Sequence, residues 1–526
     1  MPRRDTILFA ILALAAAWIS IRLVRLPDYT DAYYHFNAAA RLANGQGLTD
    51  VYLWTYLGAP PELPESGVFP SHLYWMPLTS IITAAGLWLS GGAADTAALL
   101  FMPLLAGMYG LAFWLGGKLG DSRRHAWAAG LLAIFNGFFI RFWGAVDTFT
   151  PYAFLGGACL ALMGVAHGRG RLWLWAAAGI FAGLGHLTRA DGLLLVLVGA
   201  GLLIFDGLRR SAAWRDVLRS LSLLIGAYLL TMLPWFVRNL MLVGTPLPVG
   251  GTQAVWFTEY NDLFNFPPGA SPSDLLANGA GLLIATRWEA LVNNLGTFIA
   301  VEGWVIGAPF MLFGLWLLRR RRFLAPLTVY ALGLHAAMTL VFPFPGYRGG
   351  LFHSAAALIP FWAALAVIGV DGAVAAVARR RRHWNVVAAR RVFTAGLIGI
   401  AVALTLFVGA RGGSGGESAR PPLYDELLRH LPPDARLLIN DPAQLYYHTG
   451  LGGTVLPNAQ ADVIPELAQR YRLTHVLIEY DSAGRPVTTT PLLSLADDPP
   501  DFLNPIPIDY PLARLYAIEI PVNPPD

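Results

Sequence analysis

The sequence predicts an all-α polytopic membrane protein with a small C-terminal α/β domain, on three observations. Hydrophobic residues make up 56% of the 526-residue chain and charged residues 13%, with a mean hydropathy of +0.52, whereas soluble domains carry about 25% charged residues. Apolar runs of about 20 residues recur along the first four-fifths, the length that crosses about 30 Å of hydrocarbon at 1.5 Å per residue. Past residue 410 the composition changes: Arg411-Gly412-Gly413-Ser414-Gly415-Gly416 reads as a flexible linker, and residues 411–526 hold 8 basic and 15 acidic residues. The expected division is a membrane domain over 1–410, a linker over 411–420 and a soluble unit over 421–526.

The first run, 6–26, follows Met1-Pro2-Arg3-Arg4 and lacks a convincing small-residue cleavage site, so it reads as a retained helix. Further spans are expected at 95–117, 125–145, 150–167, 172–188, 191–206, 217–237, 296–318, 323–342, 350–376 and 392–410, about eleven in all. Residues 72–91 are apolar enough to join them, but basic residues decide otherwise. With 72–91 interfacial or re-entrant, 21 basic residues fall in the cytoplasmic segments and five, Arg41, Arg189, Arg238, Arg287 and Arg348, fall in the outside loops of the membrane part. Counting 72–91 as a span would reverse that ratio for every later loop, against the tendency of cytoplasmic loops to collect Arg and Lys. The N-terminus is then cytoplasmic and the C-terminal unit extracytoplasmic.

In that unit a helix near 423–431, a strand at 436–440, a helix from Pro442, a helix at 462–471 and a strand at 474–480 alternate as an α/β domain does. The single cysteine, Cys159, excludes an intrachain disulfide. No Walker loop, dinucleotide glycine motif or zinc spacing occurs, so neither a nucleotide site nor a nucleic-acid partner is expected.

The outside loops 27–94 and 238–295 are long and rich in Trp, Tyr, Pro and Gly, which places the expected chemistry on that face. Asp28-Tyr29-Thr30-Asp31-Ala32-Tyr33-Tyr34-His35-Phe36-Asn37 sets carboxylates, an imidazole and aromatics at a membrane exit. A carboxylate there is costly to desolvate and normally faces a wet cavity where it serves a metal, a proton or a substrate; a solvated loop with an interfacial Tyr pair is the alternative. Asp147, outside the third helix, can converge with Asp31 on a divalent cation through hard oxygen ligands, or one of the two can act as a general base. Equally, Asp147 followed by Thr148 and Pro151 is a good helix start.

Arg348, flanked by Gly346, Gly349 and Gly350, can meet a phosphate bidentately, with His353 one turn further on; interfacial anchoring is the alternative. Arg189 and Asp191 read first as a structural ion pair and second as a substrate contact. In Trp256-Phe257-Thr258-Glu259-Tyr260-Asn261-Asp262, aromatics beside carboxylates suit a sugar ring and its hydroxyls or an interfacial belt. Glu259, Asp262, Glu289 and Glu302 are all candidates for a third carboxylate.

Asp31-Ala32-Tyr33-Tyr34-His35 resembles the first acidic motif of oligosaccharyltransferase catalytic subunits, and residues 136–147 resemble the run into their second. Tyr347-Arg348-Gly349-Gly350 falls where those enzymes carry a lipid-phosphate-binding arginine. On these residues, and in layout over 1–410, the chain resembles the GT-C-fold membrane glycosyltransferases that take sugars from polyprenyl-phosphate donors. Protein O-mannosyltransferases and aminoarabinose transferases share that fold.

The resemblance implies an inverting glycosyl transfer on the extracytoplasmic face, with a polyprenyl-phosphate sugar donor, surrounding membrane lipid and a glycan, lipid or protein acceptor. It implies Asp31 as base, Asp147 as its catalytic partner, Arg348 on the leaving phosphate, and His35, His353, Tyr34, Glu259 and Arg189 around the substrate. An Mg²⁺ or Mn²⁺ ion on Asp31 and Asp147 is implied by the oligosaccharyltransferases, whereas the mannosyl and aminoarabinose transferases imply none. The sequence departs from the oligosaccharyltransferases twice: Leu438-Ile439-Asn440-Asp441-Pro442 stands in place of their Trp-Trp-Asp motif, and Asp147 lacks a second carboxylate beside it. The alternative is a lipid-linked sugar flippase or transporter, which would show matched broken helices in two halves.

Overall fold

Apolar runs without interior charge become helices because the backbone must satisfy its own hydrogen bonds away from water. In the computed structural model, residues 2–24, 27–169, 171–381, 384–411, 420–496 and 498–519 are described; most of the expected linker, residues 412–419, lies outside them. The helices of the first half are α1 (Arg3–Leu23), α2 (Thr30–Ala43), α3 (Leu78–Leu89), α4 (Phe101–Gly120), α5 (Arg123–Ile134), α6 (Phe149–Arg169), α7 (Leu172–Thr188), α8 (Leu193–Leu208) and α9 (Trp214–Val243). The short α10 (Val249–Gln253) and α11 (Pro272–Ala277) lead to α12 (Gly279–Thr297), α13 (Ala308–Leu318), α14 (Ala325–Ala336), α15 (Pro343–Pro345), α16 (Leu351–Ala355), α17 (Ile359–Ala378) and α18 (Val386–Arg411).

Among the described residues eight helical stretches are long and apolar enough to cross a membrane, and the protein is a multi-pass membrane protein. Two expected spans are interrupted. The 125–145 run stops at Ile134, where Gly137 takes a left-handed φ of 51° and gives its N–H to the Thr405 hydroxyl at 2.8 Å. The 296–318 run is broken: a π-turn at Phe298–Glu302 ends α12, Trp304 and Val305 adopt φ of 47° and 66°, and α13 starts at Ala308. The break follows Glu302, which is fully buried and accepts hydrogen bonds from His335 Nε2 at 3.0 Å and Trp362 Nε1 at 2.7 Å.

Residues 72–91 contain only the 12-residue α3, about 18 Å long and too short to cross. It buries Ala84 and Leu87 in a cluster with Ala39 of α2 and Phe101 of α4.

The C-terminal unit is built from α19 (Pro422–His430), α20 (Pro442–Thr449) and α21 (Ile464–Tyr471) against a sheet. Its strands are β4 (Arg436–Ile439), β5 (Gly452–Val455), β6 (His475–Glu479), β7 (Leu503–Ile506) and β8 (Ala513–Ile518), while β1 (Thr49–Asp50), β2 (Tyr52–Leu53) and β3 (Phe69–Pro70) come from the loop that follows α1. The six-stranded order is β2-β5-β4-β6-β8-β7, so its first edge belongs to the loop. β2 runs parallel to β5 with Tyr52 opposite Gly453 and Leu53 opposite Thr454. Only glycine fits at 453, because a Cβ there would lie 1.9 Å from the Leu437 carbonyl oxygen. One apolar core spans both parts, packing Leu53, Tyr56, Phe69 and Leu73 of the loop with Leu438, Val455, Leu467 and Val476 of the C-terminal unit.

Candidate active site

Asp31 is the second residue of α2, Asp147 lies in the turn before α6, and His353 is in α16. Ligand atoms of all three lie within 4.8 Å of one another. His353 Nε2 is 3.1 Å from Asp147 Oδ2 and 3.8 Å from Asp31 Oδ2. Its Nδ1 donates to the Gly349 carbonyl at 2.8 Å, an assignment that follows because a carbonyl oxygen only accepts. That bond leaves Nε2 directed at the two carboxylates, the outer-shell arrangement typical of a ligating histidine. Gly349 presents its carbonyl from a φ of 127°, a conformation that L side chains rarely adopt. Phe149 holds the imidazole from the side, stacked at 3.9 Å and 21°.

The surroundings shift the two carboxylates in opposite directions. Burial works against the Asp147 charge, yet His353 and the Thr148 N–H hold its carboxyl well below the usual range. The Tyr29 hydroxyl also donates to Asp147 Oδ2 at 2.7 Å. Asp31 goes the other way: burial and the neighbouring Asp147 charge push it up to about 6, with the Trp75 indole N–H donating to it. Paired titratable groups driven apart in this manner divide into a permanent charge and a proton acceptor.

The remaining candidates occupy different positions. Arg348 is exposed, five residues before His353, and its guanidinium lies 4.9 Å above the Tyr260 ring. Among the described residues, no carboxylate pairs with it. Burial pushes the Tyr260 hydroxyl up to about 12, with the Asp31 charge adding to the rise and the Arg348 charge opposing it. Arg189 is an ion-pair residue: Nε reaches Asp191 Oδ1 at 3.0 Å and Ser354 Oγ at 2.8 Å, and the guanidinium also donates to Thr148 Oγ1 and the Gly350 carbonyl. It therefore braces the Asp147 turn against the His353 helix.

His35, one turn along α2 from Asp31, is fully buried with Nδ1 2.9 Å from Ser80 Oγ, and burial lowers it to about 4. Tyr34 is likewise buried and donates to Asp50 Oδ2 at 2.8 Å. Glu259 forms a capping box with Asp262 and accepts from Asn458 Nδ2 at 3.1 Å, so it is not gathered with Asp31 and Asp147. Asp262 and Glu302 are engaged elsewhere too, Asp262 with Thr258 and Glu302 with His335.

A groove of about 880 Å³ runs between α12, α13 and α14, and none of Asp31, Asp147 and His353 lines it. Leu283, Trp288, Leu295, Leu312, Leu332 and Leu340 make it apolar. Asn294 of this groove donates to the Met338 carbonyl at 3.1 Å, and the chain continues from there into the turn bearing Arg348.

The overall fold of the chain is shared with solved proteins. ArnT from Cupriavidus metallidurans bound to undecaprenyl phosphate superposes with a TM-score of 0.59 at 15% identity, covering 100% of both chains. The archaeal oligosaccharyltransferase AglB from Archaeoglobus fulgidus, in complex with an inhibitory peptide and a dolichol-phosphate, gives 0.58 at 14% identity, covering 89% of this chain and 69% of AglB. AglB in complex with Zn and sulfate gives 0.54 at 15% identity over 93% and 74%. The chain has the GT-C fold. No family model matches it, and no curated protein matches it by sequence.

Of the residues singled out in the sequence, Asp31, Asp147 and His353 come together in the fold, and three of the neighbours, Tyr29 at Asp147, Trp75 at Asp31 and Tyr260 at Arg348, were not marked as such by the sequence. Trp75 and Tyr260 sit on segments whose aromatic richness was visible; nothing local in the sequence signals that they approach Asp31 and Arg348.

Proposed function

We propose that the protein transfers a sugar from a polyprenyl-phosphate-linked donor to an acceptor at the extracytoplasmic face of the cell membrane. The observation that carries this reading is the meeting of Asp31, Asp147 and His353 from three separate segments of a polytopic helical domain within 4.8 Å. In this reading Asp31 takes the proton of the acceptor hydroxyl while the acceptor oxygen bonds to the anomeric carbon. The bond from that carbon to the phosphate oxygen breaks with its electron pair, and polyprenyl phosphate leaves. Arg348, stacked on Tyr260 and without a carboxylate partner among the described residues, stabilises the phosphate charge. The apolar groove beside α12 suits the isoprenoid tail, because α12, which lines it, also packs against the 346–350 turn bearing Arg348.

Two carboxylate oxygens and an imidazole nitrogen form a donor set that fits a divalent cation such as Mg²⁺ or Mn²⁺. Asp31, Asp147 and His353 would hold it, and it would supply positive charge toward the phosphate or the acceptor oxygen. The division into a membrane domain (1–410), a linker (411–420) and an extracytoplasmic unit (421–526), with a cytoplasmic N-terminus, belongs to the same proposal. A glycan, a lipid or a protein is the acceptor class.

Mass spectrometry of lipid-linked sugars and surface glycans with and without the gene tests the reading; a sugar species lost with the gene and restored by the wild type is expected. Asp31→Asn keeps shape and removes basicity, so it should restore nothing while accumulating as folded protein. Wild-type restoration by that variant would reject the base. Chelator added to purified protein, compared across wild type and Asp147→Asn, separates metal-dependent from metal-free turnover.

One observation favours the flippase alternative: the α12–α13 break carries a buried Glu302–His335 contact inside the membrane domain. Movement of polyprenyl-phosphate sugars across vesicles containing the protein, lost in Glu302→Gln and retained in Asp31→Asn, would establish it.

A further inference from the structure

α2 begins without the usual device for starting a helix. Its N-cap residue, Tyr29, makes no side-chain cap bond, so the first turn, which carries Asp31, would fray if nothing else held it. Both residues before Asp31 are instead tied to distant parts of the chain. The Tyr29 hydroxyl donates to Asp147, and the Thr30 hydroxyl donates to Asp441 Oδ2 at 2.6 Å across 411 residues.

Asp441 lies just beyond the C-terminal end of β4 and is the N-cap of α20. Its Oδ1 accepts the Ala443 and Gln444 N–H groups at 3.1 and 3.0 Å, leaving Oδ2 for Thr30. One carboxylate thus joins the N-termini of two helices, where the positive ends of both helix dipoles favour its charge. The contact continues along α2. Tyr33 packs on Tyr447 at 5.0 Å, Asn37 donates to the Ala443 carbonyl at 2.8 Å, and Arg41 donates to the Tyr446 hydroxyl at 3.4 Å. Residues 30, 33, 37 and 41 recur at helical spacing and form one face against α20, whereas 31 and 35 lie on the adjoining face.

We infer that Asp441 is a positioning residue for the active site: through Thr30 it fixes the first turn of α2 and thereby the placement of Asp31 against Asp147 and His353. The C-terminal unit then contributes no group to the chemistry but sets the geometry of the group that does it. This rests on the proposed role of Asp31. A displacement of about 1 Å at a reacting group can cost on the order of 100-fold in rate, so a bond far from the substrate has a catalytic signature.

Thr30→Val removes the hydroxyl at nearly constant volume, Thr30→Ser retains it, and Asp441→Ser keeps an N-cap for α20 but is too short to reach Thr30. Each full-length variant is expressed in the strain lacking the gene, with the sugar species lost on deletion as readout, normalised to folded membrane protein. Thr30→Val and Asp441→Ser are expected to restore at least about tenfold less product than wild type, and their combination no less than either alone. Thr30→Ser should restore most of it. Hydrogen exchange of purified protein should show faster exchange at residues 32–34 in the first two variants and not in Thr30→Ser.

Full restoration by Thr30→Val or Asp441→Ser while Asp31→Asn restores nothing would overturn the positioning role alone, as would Thr30→Ser failing as badly as Thr30→Val. If Asp31→Asn restores the product, or the deletion changes no sugar species, the proposed function falls and the inference with it.

Discussion

Two residues carry separate, measurable consequences. Arg348 presents a planar fork held over Tyr260, a geometry that lysine cannot reproduce. Arg348→Ala should lower donor turnover by about 100-fold, in line with the loss of one preorganised donor to a developing charge. Arg348→Lys should recover part of that loss, and steady-state kinetics with the lipid donor varied is the check. Full activity in the Ala variant would remove Arg348 from the phosphate.

Asp50 is a stability site. It is 3% exposed, and burial pushes it up to about 7 against the pull of the Tyr34 hydroxyl, Arg41 and Arg238. Its charged form is therefore disfavoured in the folded protein. The resulting stability is complete below the unfolded carboxylate value of about 3.9 and is lost as pH rises through about 7. Asp50→Asn escapes that loss, so its Tm relative to wild type should rise between pH 5 and pH 8, by the equivalent of about 2–3 kcal/mol. A pH-independent difference would show that Asp50 stays ionised throughout.

At the scale of elements, the turn joining α15 to α16 is the most demanding local structure in the site. Gly349 has a φ of 127° and its carbonyl orients His353. Gly349→Ala should cost about 1–3 kcal/mol of stability and lower activity further by releasing the imidazole; a Tm scan and the sugar readout measure the two effects. Unchanged values in both would mean that the turn tolerates a side chain.

The elements differ in how legible they were. α19, α20 and α21 and strands β4 and β6 follow local periodicity and start signals such as Asp441-Pro442, and all were read from the sequence. The interruption between α12 and α13 was not, because hydropathy sums apolar character and is indifferent to where Glu302 finds His335 and Trp362.

At the scale of the whole molecule, orientation is the open quantity, and the 21-to-five division of basic residues fixes its expected sign. Cys159 is the only cysteine and is fully buried, so single cysteines introduced at the exposed positions Ser211 and Ser482 report without background. An impermeant thiol reagent on intact cells should label Ser482→Cys and leave Ser211→Cys unlabelled until the membrane is opened. The reverse pattern would invert the molecule and place Asp31 on the cytoplasmic side.

The sequence by itself determined the membrane class, the position of most spans, the lack of a full span in 72–91 and the presence of polar groups at helix ends. Each is a local sum: hydropathy over about 20 residues, charge over a loop, or a cap next to the helix it starts. Only the tertiary structure decided which of those groups meet. His353 reaches Asp147 across 206 residues, Thr30 reaches Asp441 across 411, and β2 completes a sheet whose other strands begin at Arg436. It also withdrew Glu259 into a cap and His35 and Tyr34 into buried networks. Those outcomes depend on how helices pack side by side, and packing chooses partners by shape and burial that no local window contains.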